Sequence, residues 1–104
     1  MHNLEKLKDL SIKDKLKLLS GYDAWHIGGI EEKGIDLITM TDGPHGVRLA
    51  DQEAGELFNS KPATAFPVEA AMASTWNDSL IEKMGKYIGK ECQFYNVGIL
   101  LGPG

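Results

Sequence analysis

The sequence predicts an α/β fold with a polar site standing at the end of a buried strand. Three observations carry this. A short apolar run, Leu37-Ile38-Thr39-Met40, leads straight into Thr41-Asp42-Gly43-Pro44-His45-Gly46-Val47-Arg48, where an anion, an imidazole and a cation fall within seven positions. The two glycines and the proline in that octet stop either helix or strand from continuing. A helical apolar period follows from Ile81 to Tyr95, and a second apolar run, Val97 to Leu101, comes after it. Strand, long excursion, helix and strand make a βαβ unit, and polar chemistry just past a strand end is where such folds keep their sites.

The elements follow in order. Leu4, Leu7 and Leu10 suit a first helical turn. Ser11-Ile12-Lys13-Asp14 has the form of a reciprocal helix start, the Ser11 hydroxyl accepting from the Asp14 amide while the Asp14 carboxylate reaches back. Ile12, Leu16 and Leu19 then share one face, and Gly21 can supply a left-handed stop, so a helix is predicted over 11–20. Residues 22–34 hold Trp25, His26, Gly28, Gly29 and Gly34 without a period and are expected to be a connection with an aromatic anchor. Leu37 to Met40 is too short for a helix and too apolar for a half-exposed strand, which suits a parallel strand covered on both faces.

Leu49 to Pro67 is a polar excursion of a length that is usually functional or mobile in compact domains. Val68 to Ser74 is small and apolar, and periodicity leaves strand and buried helical turn both open. Asn77 is placed as an N-cap, with Trp76 and Ile81 spaced as a hydrophobic staple. The helix behind it should run over 78–95 and stop near Asn96-Gly98. Gly85 and Gly89 cost that helix propensity, for which close packing against a strand would compensate. Gly102-Pro103-Gly104 is expected to turn at the end of the last strand. Two or three such units leave sheet edges that a complete sheet would pair, so the chain is expected to be the first part of something longer.

Composition narrows the function classes. The 104 residues suit one small domain, and 42% hydrophobic with 25% charged residues is ordinary globular composition. The net charge of −4 argues against nucleic-acid binding, and no stretch suits a membrane span. Lys6, Lys8, Lys13, Lys15 and Lys17 are interleaved with Glu5, Asp9 and Asp14 and are expected to form a solvated face. Cys92 is alone, which excludes an internal disulfide, and it is expected to be a small core residue. Three histidines and one cysteine show no metal-ligand spacing, and no cofactor is expected. The first six residues contain no apolar stretch of signal-peptide length, so cytoplasmic residence is expected.

The chemistry concentrates on Asp42 and Arg48. A carboxylate at a strand's carboxyl end only accepts, while a guanidinium six residues on presents a planar set of donors. Sugar hydroxyls both donate and accept, so the pair suits a neutral polyol better than a phosphate, which Asp42 would repel. Each charge-assisted bond is worth roughly 1.5–3 kcal/mol. A structural turn in which Asp42 caps the amides of Gly43 or His45 stands beside this. His45 fits a backbone-fixing role better than acid–base chemistry, because no partner for it can be named. Trp25-His26 suits an aromatic wall against a sugar or simple packing.

The octet, with Phe66-Pro67, Ala73-Ser74-Thr75-Trp76-Asn77 and Leu100-Leu101-Gly102-Pro103-Gly104, resembles the N-terminal domain of glycoside hydrolase family 3, β-glucosidase type. Asp14-Lys15-Leu16, Leu19-Ser20-Gly21 and Trp25-His26 extend the likeness over nearly the whole chain from about Leu10. The resemblance implies that residues 1–104 are the first, C-terminally truncated part of a (β/α)8 TIM-type barrel, followed in the family by a second α/β domain. It implies that Asp42 holds hydroxyls of the terminal glucose in subsite −1, and that Arg48 belongs to the same pocket. Family members are retaining hydrolases, whose nucleophilic aspartate and acid/base glutamate sit about 5–5.5 Å apart across the scissile bond.

By the same resemblance both catalytic groups lie beyond Gly104, with the Lys-His pair and the second arginine of the pocket. No catalytic residue is therefore expected in this chain, which alone should be inactive and needs the rest of the parent polypeptide to complete the barrel. Asp51, Glu53 and Glu56 are expected to be solvated, and Glu69 and Glu91 to make structural hydrogen bonds. The expected function is that of a fragment of a β-glucosidase acting on a β-glucoside or oligosaccharide. The alternative is a non-catalytic carbohydrate-binding or assembly subunit.

Overall fold

The structure, a computed structural model, describes residues 7–50 and 60–102. In chain order the elements are α1 (Ile12–Leu18), β1 (His26–Ile30), a 3-10 turn (Glu31–Lys33), β2 (Ile35–Thr41), α2 (Glu69–Ala73), α3 (Asp78–Phe94) and β3 (Val97–Leu100). The chain divides into two compact units, 1–40 and 41–104, at the end of β2. Among the described residues no helix is long and apolar enough to cross a membrane.

In the first unit, α1 starts as its sequence requires. The Asp14 amide donates to Ser11 Oγ at 3.1 Å, and the Ser11 amide donates back to Asp14 Oδ2 at 3.2 Å. The Ser11 hydroxyl also donates to Asp14 Oδ2 at 2.7 Å, and it, more than the Ser11 amide, holds the Asp14 carboxyl below its ordinary range. The helix is shorter than expected and ends through Leu19 in right-handed conformation, so the left-handed stop at Gly21 is not used. Instead Gly21 bridges Ile27. The apolar face expected to be buried is turned outward, Ile12 being 79% and Leu19 86% exposed. α1 touches β1 through Leu18, which lies 3.8 Å from where a Cβ on Gly28 would stand. Leu7 is helical, Leu10 is buried and Leu4 lies outside the described residues.

The expected connection over 22–34 contains a strand. β1 pairs antiparallel with β2 in the register His26 with Thr39, Ile27 with Ile38, Gly28 with Leu37 and Ile30 with Ile35. Residues 31–34 close this hairpin, and Gly34 takes the left-handed conformation (φ 62°) that brings the chain back into β2. β2 therefore does not have the two-sided cover its apolar run suggested. On one edge its partner is the preceding segment, whose glycines offer no side chains, and Leu37 and Ile38 remain exposed.

In the second unit, α2 makes the open stretch helical over Glu69–Ala73, with Val68 and Ser74 as its caps. α3 begins where Asn77 Oδ1 accepts from the Leu80 amide at 3.1 Å. The expected staple does not form, since Trp76 is 92% exposed with φ 50°. A Cβ at Gly85 or Gly89 would meet nothing within 4 Å, so among the described residues no strand presses on that face. The helix stops at Asn96 (φ 54°), within the expected boundary, and α3 packs on β3. Asp51 to Asn59, hence Asp51, Glu53 and Glu56, and the turn residues Pro103 and Gly104 lie outside the described residues. Buried apolar side chains among the described residues are Leu10, Ile30, Val47 and Val97.

Candidate functional site

The site is built on the last residue of β2. Thr41 is fully buried, and its carbonyl accepts from the Leu101 amide at 2.8 Å, just past β3. Its hydroxyl donates to the carbonyl of Arg48. The chain leaves the strand at Asp42, makes a tight loop and returns at Arg48, whose amide donates to the Asp42 carbonyl at 2.9 Å. Only a residue without a side chain fits inside the loop at Gly43, because a Cβ there would collide with the carbonyl of Gly46. Buried Val47 anchors the returning arm.

This closure sets two side chains face to face. Arg48 Nε donates to Asp42 Oδ1 at 2.7 Å and Nη2 donates to Oδ2 at 2.8 Å, a two-pronged pair of charge-assisted bonds. The side chains stay partly in water, 41% exposed for Asp42 and 43% for Arg48. The guanidinium holds the Asp42 carboxyl below the ordinary carboxylate range, first through these hydrogen bonds. The carboxylate correspondingly pushes Arg48 up. Asp42 thus spends its oxygens on Arg48 rather than capping the amides of Gly43 or His45. Sequence had named both residues, and the structure joins them into one group.

Residues 60–66 run beside the loop. The Phe66 amide donates to the His45 carbonyl at 2.6 Å, and the Lys61 amide donates to the Leu49 carbonyl at 2.9 Å, while Ala50 bridges Ser60. His45 therefore contributes its backbone, and its ring is exposed. A shallow open groove lies between the two segments, bordered by Pro44, His45, Arg48, Lys61 and Thr64.

Two further pieces of polar structure were not foreseen as such. Glu91 Oε1 of α3 accepts from the Thr64 amide at 3.0 Å and from the Thr64 hydroxyl, while Tyr95 donates its hydroxyl proton to the Pro62 carbonyl. Glu91 had been read as structurally bonded, but nothing local could name a partner 27 residues away. Beside it, Cys92 is half-buried, and desolvation pushes its thiol up. In the first unit, Asp23 accepts from the Trp25 amide at 2.7 Å, and both its oxygens lie 2.8 Å from His26 Nδ1. The Trp25 amide first, then the imidazole, holds the Asp23 carboxyl low. Among the described residues, no three His, Cys, Asp or Glu side chains gather as metal ligands would.

No protein-family profile matches the chain. Its relatives include the thermostable beta-glucosidase B of Acetivibrio thermocellus, 47% identical over 100 residues, and an exo-alpha-(1->6)-L-arabinopyranosidase of Bifidobacterium longum, 48% identical over 101. Each match covers 94% of this chain but 13% of the relative, so the chain spans about an eighth of their length. Among solved structures, the GH3 beta-glucosidase of Bifidobacterium adolescentis superimposes with a TM-score of 0.81 at 43% identity, over 94% of this chain and 13% of that one. The beta-glucosidase of Kluyveromyces marxianus in complex with glucose gives 0.82 at 35%, over 96% and 11%. The fold is therefore that of the opening segment of an α/β barrel. The chain belongs to glycoside hydrolase family 3.

Proposed function

We propose that this chain supplies part of the sugar pocket of a retaining β-glucosidase, with Asp42 and Arg48 forming one binding group for the terminal glucosyl unit in subsite −1. The observation that carries this is the two-pronged pair at the end of β2, half open to water. Each carboxylate oxygen has two lone-pair directions and Arg48 takes one on each, which leaves the others for hydroxyl protons. Arg48 keeps the carboxylate ionised and fixed, and a preorganised acceptor loses little on binding. The substrate class follows the relatives' own names, which are those of glycosidases. A glucosidase and an arabinopyranosidase match almost equally well, which suits a half-pocket that grips a pyranose and leaves its finer selection to other walls.

In this reading the nucleophile and the acid/base lie on polypeptide outside residues 1–104, the first part of the barrel domain, and the protein works in the cytoplasm. Contacts to hydroxyls remote from the broken bond still lower the barrier if they tighten as the ring flattens toward the oxocarbenium-like state. The test is an assay with an aryl β-glucoside. The 104 residues alone should give no turnover, and the chain extended through a complete barrel and second domain should be active. In the extended enzyme Asp42→Ala should lower kcat/KM at least about a hundredfold, corresponding to the loss of roughly 3 kcal/mol. Robust turnover by the 104 residues, or an unchanged kcat/KM in that variant, overturns the proposal.

A further inference from the structure

We propose that Glu91 of α3 and Tyr95, the residue that caps the end of that helix, are positioning residues for the Asp42–Arg48 pair, acting through the 60–66 segment on which the site loop rests. The inference builds on the assignment of that pair as the sugar-binding group.

The geometry is a relay in three steps. α3 is the longest element among the described residues, and its start is fixed by the Asn77 cap. Positions 91 and 95, one turn apart, fall on the same face of it. From that face Glu91 takes both donors of Thr64, and Tyr95 takes the carbonyl of Pro62. The two tethers fasten the middle of an otherwise irregular stretch, at Pro62 and Thr64. That stretch in turn holds the site loop on either side of Arg48, at His45 through the Phe66 amide and at Leu49 through the Lys61 amide. Between these two points the Arg48 backbone is fixed by its bonds with Thr41 and Asp42. A loop of Gly, Pro, His and Gly has no regular hydrogen-bond ladder of its own. Its shape therefore depends on what it lies against, and that segment is held to the helix by two side chains.

The arrangement also carries a cost that a purely incidental contact would not. Among the described residues Glu91 Oε2 is buried without a partner, while Oε1 takes both Thr64 donors. A carboxyl group left with one idle buried oxygen gives up hydration, so the gain lies in the bonds that Oε1 makes. A glutamine would keep the acceptor for Thr64, and an alanine would remove it.

The experiment uses the chain extended through a complete barrel and second domain, free of sugar and selectively labelled, with two NMR readouts: amide hydrogen exchange and titration of the Asp42 carboxyl carbon. In Glu91→Ala the Thr64 and Phe66 amides should exchange at least about fivefold faster, as expected when one hydrogen bond is lost. The Asp42 midpoint should rise toward the ordinary carboxylate value as Arg48 loses its place. Glu91→Gln should restore both. Exchange at Met40, which donates to the Trp25 carbonyl in the first unit, should not change. An unmoved Asp42 midpoint in Glu91→Ala overturns the proposal, and so does exchange that quickens equally everywhere. If Glu91→Ala fails to fold, Tyr95→Phe decides. Faster exchange at Lys61 with a raised Asp42 midpoint supports the relay, and no change in either refutes it. Neither readout involves sugar, so failure of the glucoside assay with Asp42→Ala leaves this result to stand on its own.

Discussion

A carboxylate six residues ahead of an arginine carries no instruction to pair with it, yet the return of the chain at Arg48 makes the contact unavoidable. Sequence revealed the residue types and their place after a strand, because apolar runs and glycine-proline punctuation are local signals. It did not reveal that the two side chains bind each other, which depends on the loop closing through Thr41, Gly43 and Val47. The pairing has a pH consequence. The folded chain holds Asp42 below the value of about 3.9 expected when unfolded, so the pair's stabilisation is complete above that pH and is lost as pH falls through the folded value. Partial exposure keeps the contribution small and sensitive to salt. Arg48→Lys keeps the charge but loses the fork, and its Asp42 midpoint should lie between those of the parent and Arg48→Ala. Carbon-detected NMR titration of the three chains measures this order. Equal midpoints in the parent and Arg48→Ala would mean that the guanidinium does not hold the carboxylate in solution.

At the scale of elements, helix starts were legible and helix faces were not. Ser11 with Asp14, and Asn77 with the Leu80 amide, act within three residues, so the chemistry that makes them caps is written in adjacent positions. Faces depend on what arrives from elsewhere, and among the described residues Ile12 and Leu19 stay largely exposed while a Cβ on the glycines of α3 would meet nothing within 4 Å. β1 went unseen because Gly28 and Gly29 interrupt any alternation, while the pairing that makes it a strand comes from β2. These differences set the expected mutational effects on α3. Asn77→Ala should cost about 1 kcal/mol, the usual penalty for a lost N-cap acceptor. Gly85→Ala and Gly89→Ala should each stabilise the chain by about 0.5–1 kcal/mol, since the new methyl meets no atom and the unfolded backbone loses freedom. Urea titration followed by circular dichroism separates the outcomes. Destabilisation by either alanine in this chain would show that something does cover that face in solution.

At the scale of the whole chain, the described residues bury little apolar surface. Among the described residues four apolar side chains are buried, whereas Ile12, Leu16, Leu19, Trp76, Phe94 and Leu101 stand in water. An apolar side chain left exposed forgoes roughly 1.5–3 kcal/mol of transfer free energy, and folded domains are stable by only about 5–15 kcal/mol in total. In the family's solved structures a segment of this fold is about an eighth or less of a longer chain, where further polypeptide is available to lie on such faces. The 104 residues by themselves should therefore be marginally stable, bind the dye ANS, unfold with a shallow urea transition and leave a size-exclusion column as heterogeneous aggregate. The urea slope scales with the surface that folding hides, so a chain that hides little should show a small one. A discrete, dye-silent oligomer with a steep transition would instead mean that copies of the chain cover each other's apolar faces. That result would favour a stand-alone carbohydrate-binding or assembly subunit over a segment of a glycosidase, because self-association would then do what the rest of a barrel does in the relatives.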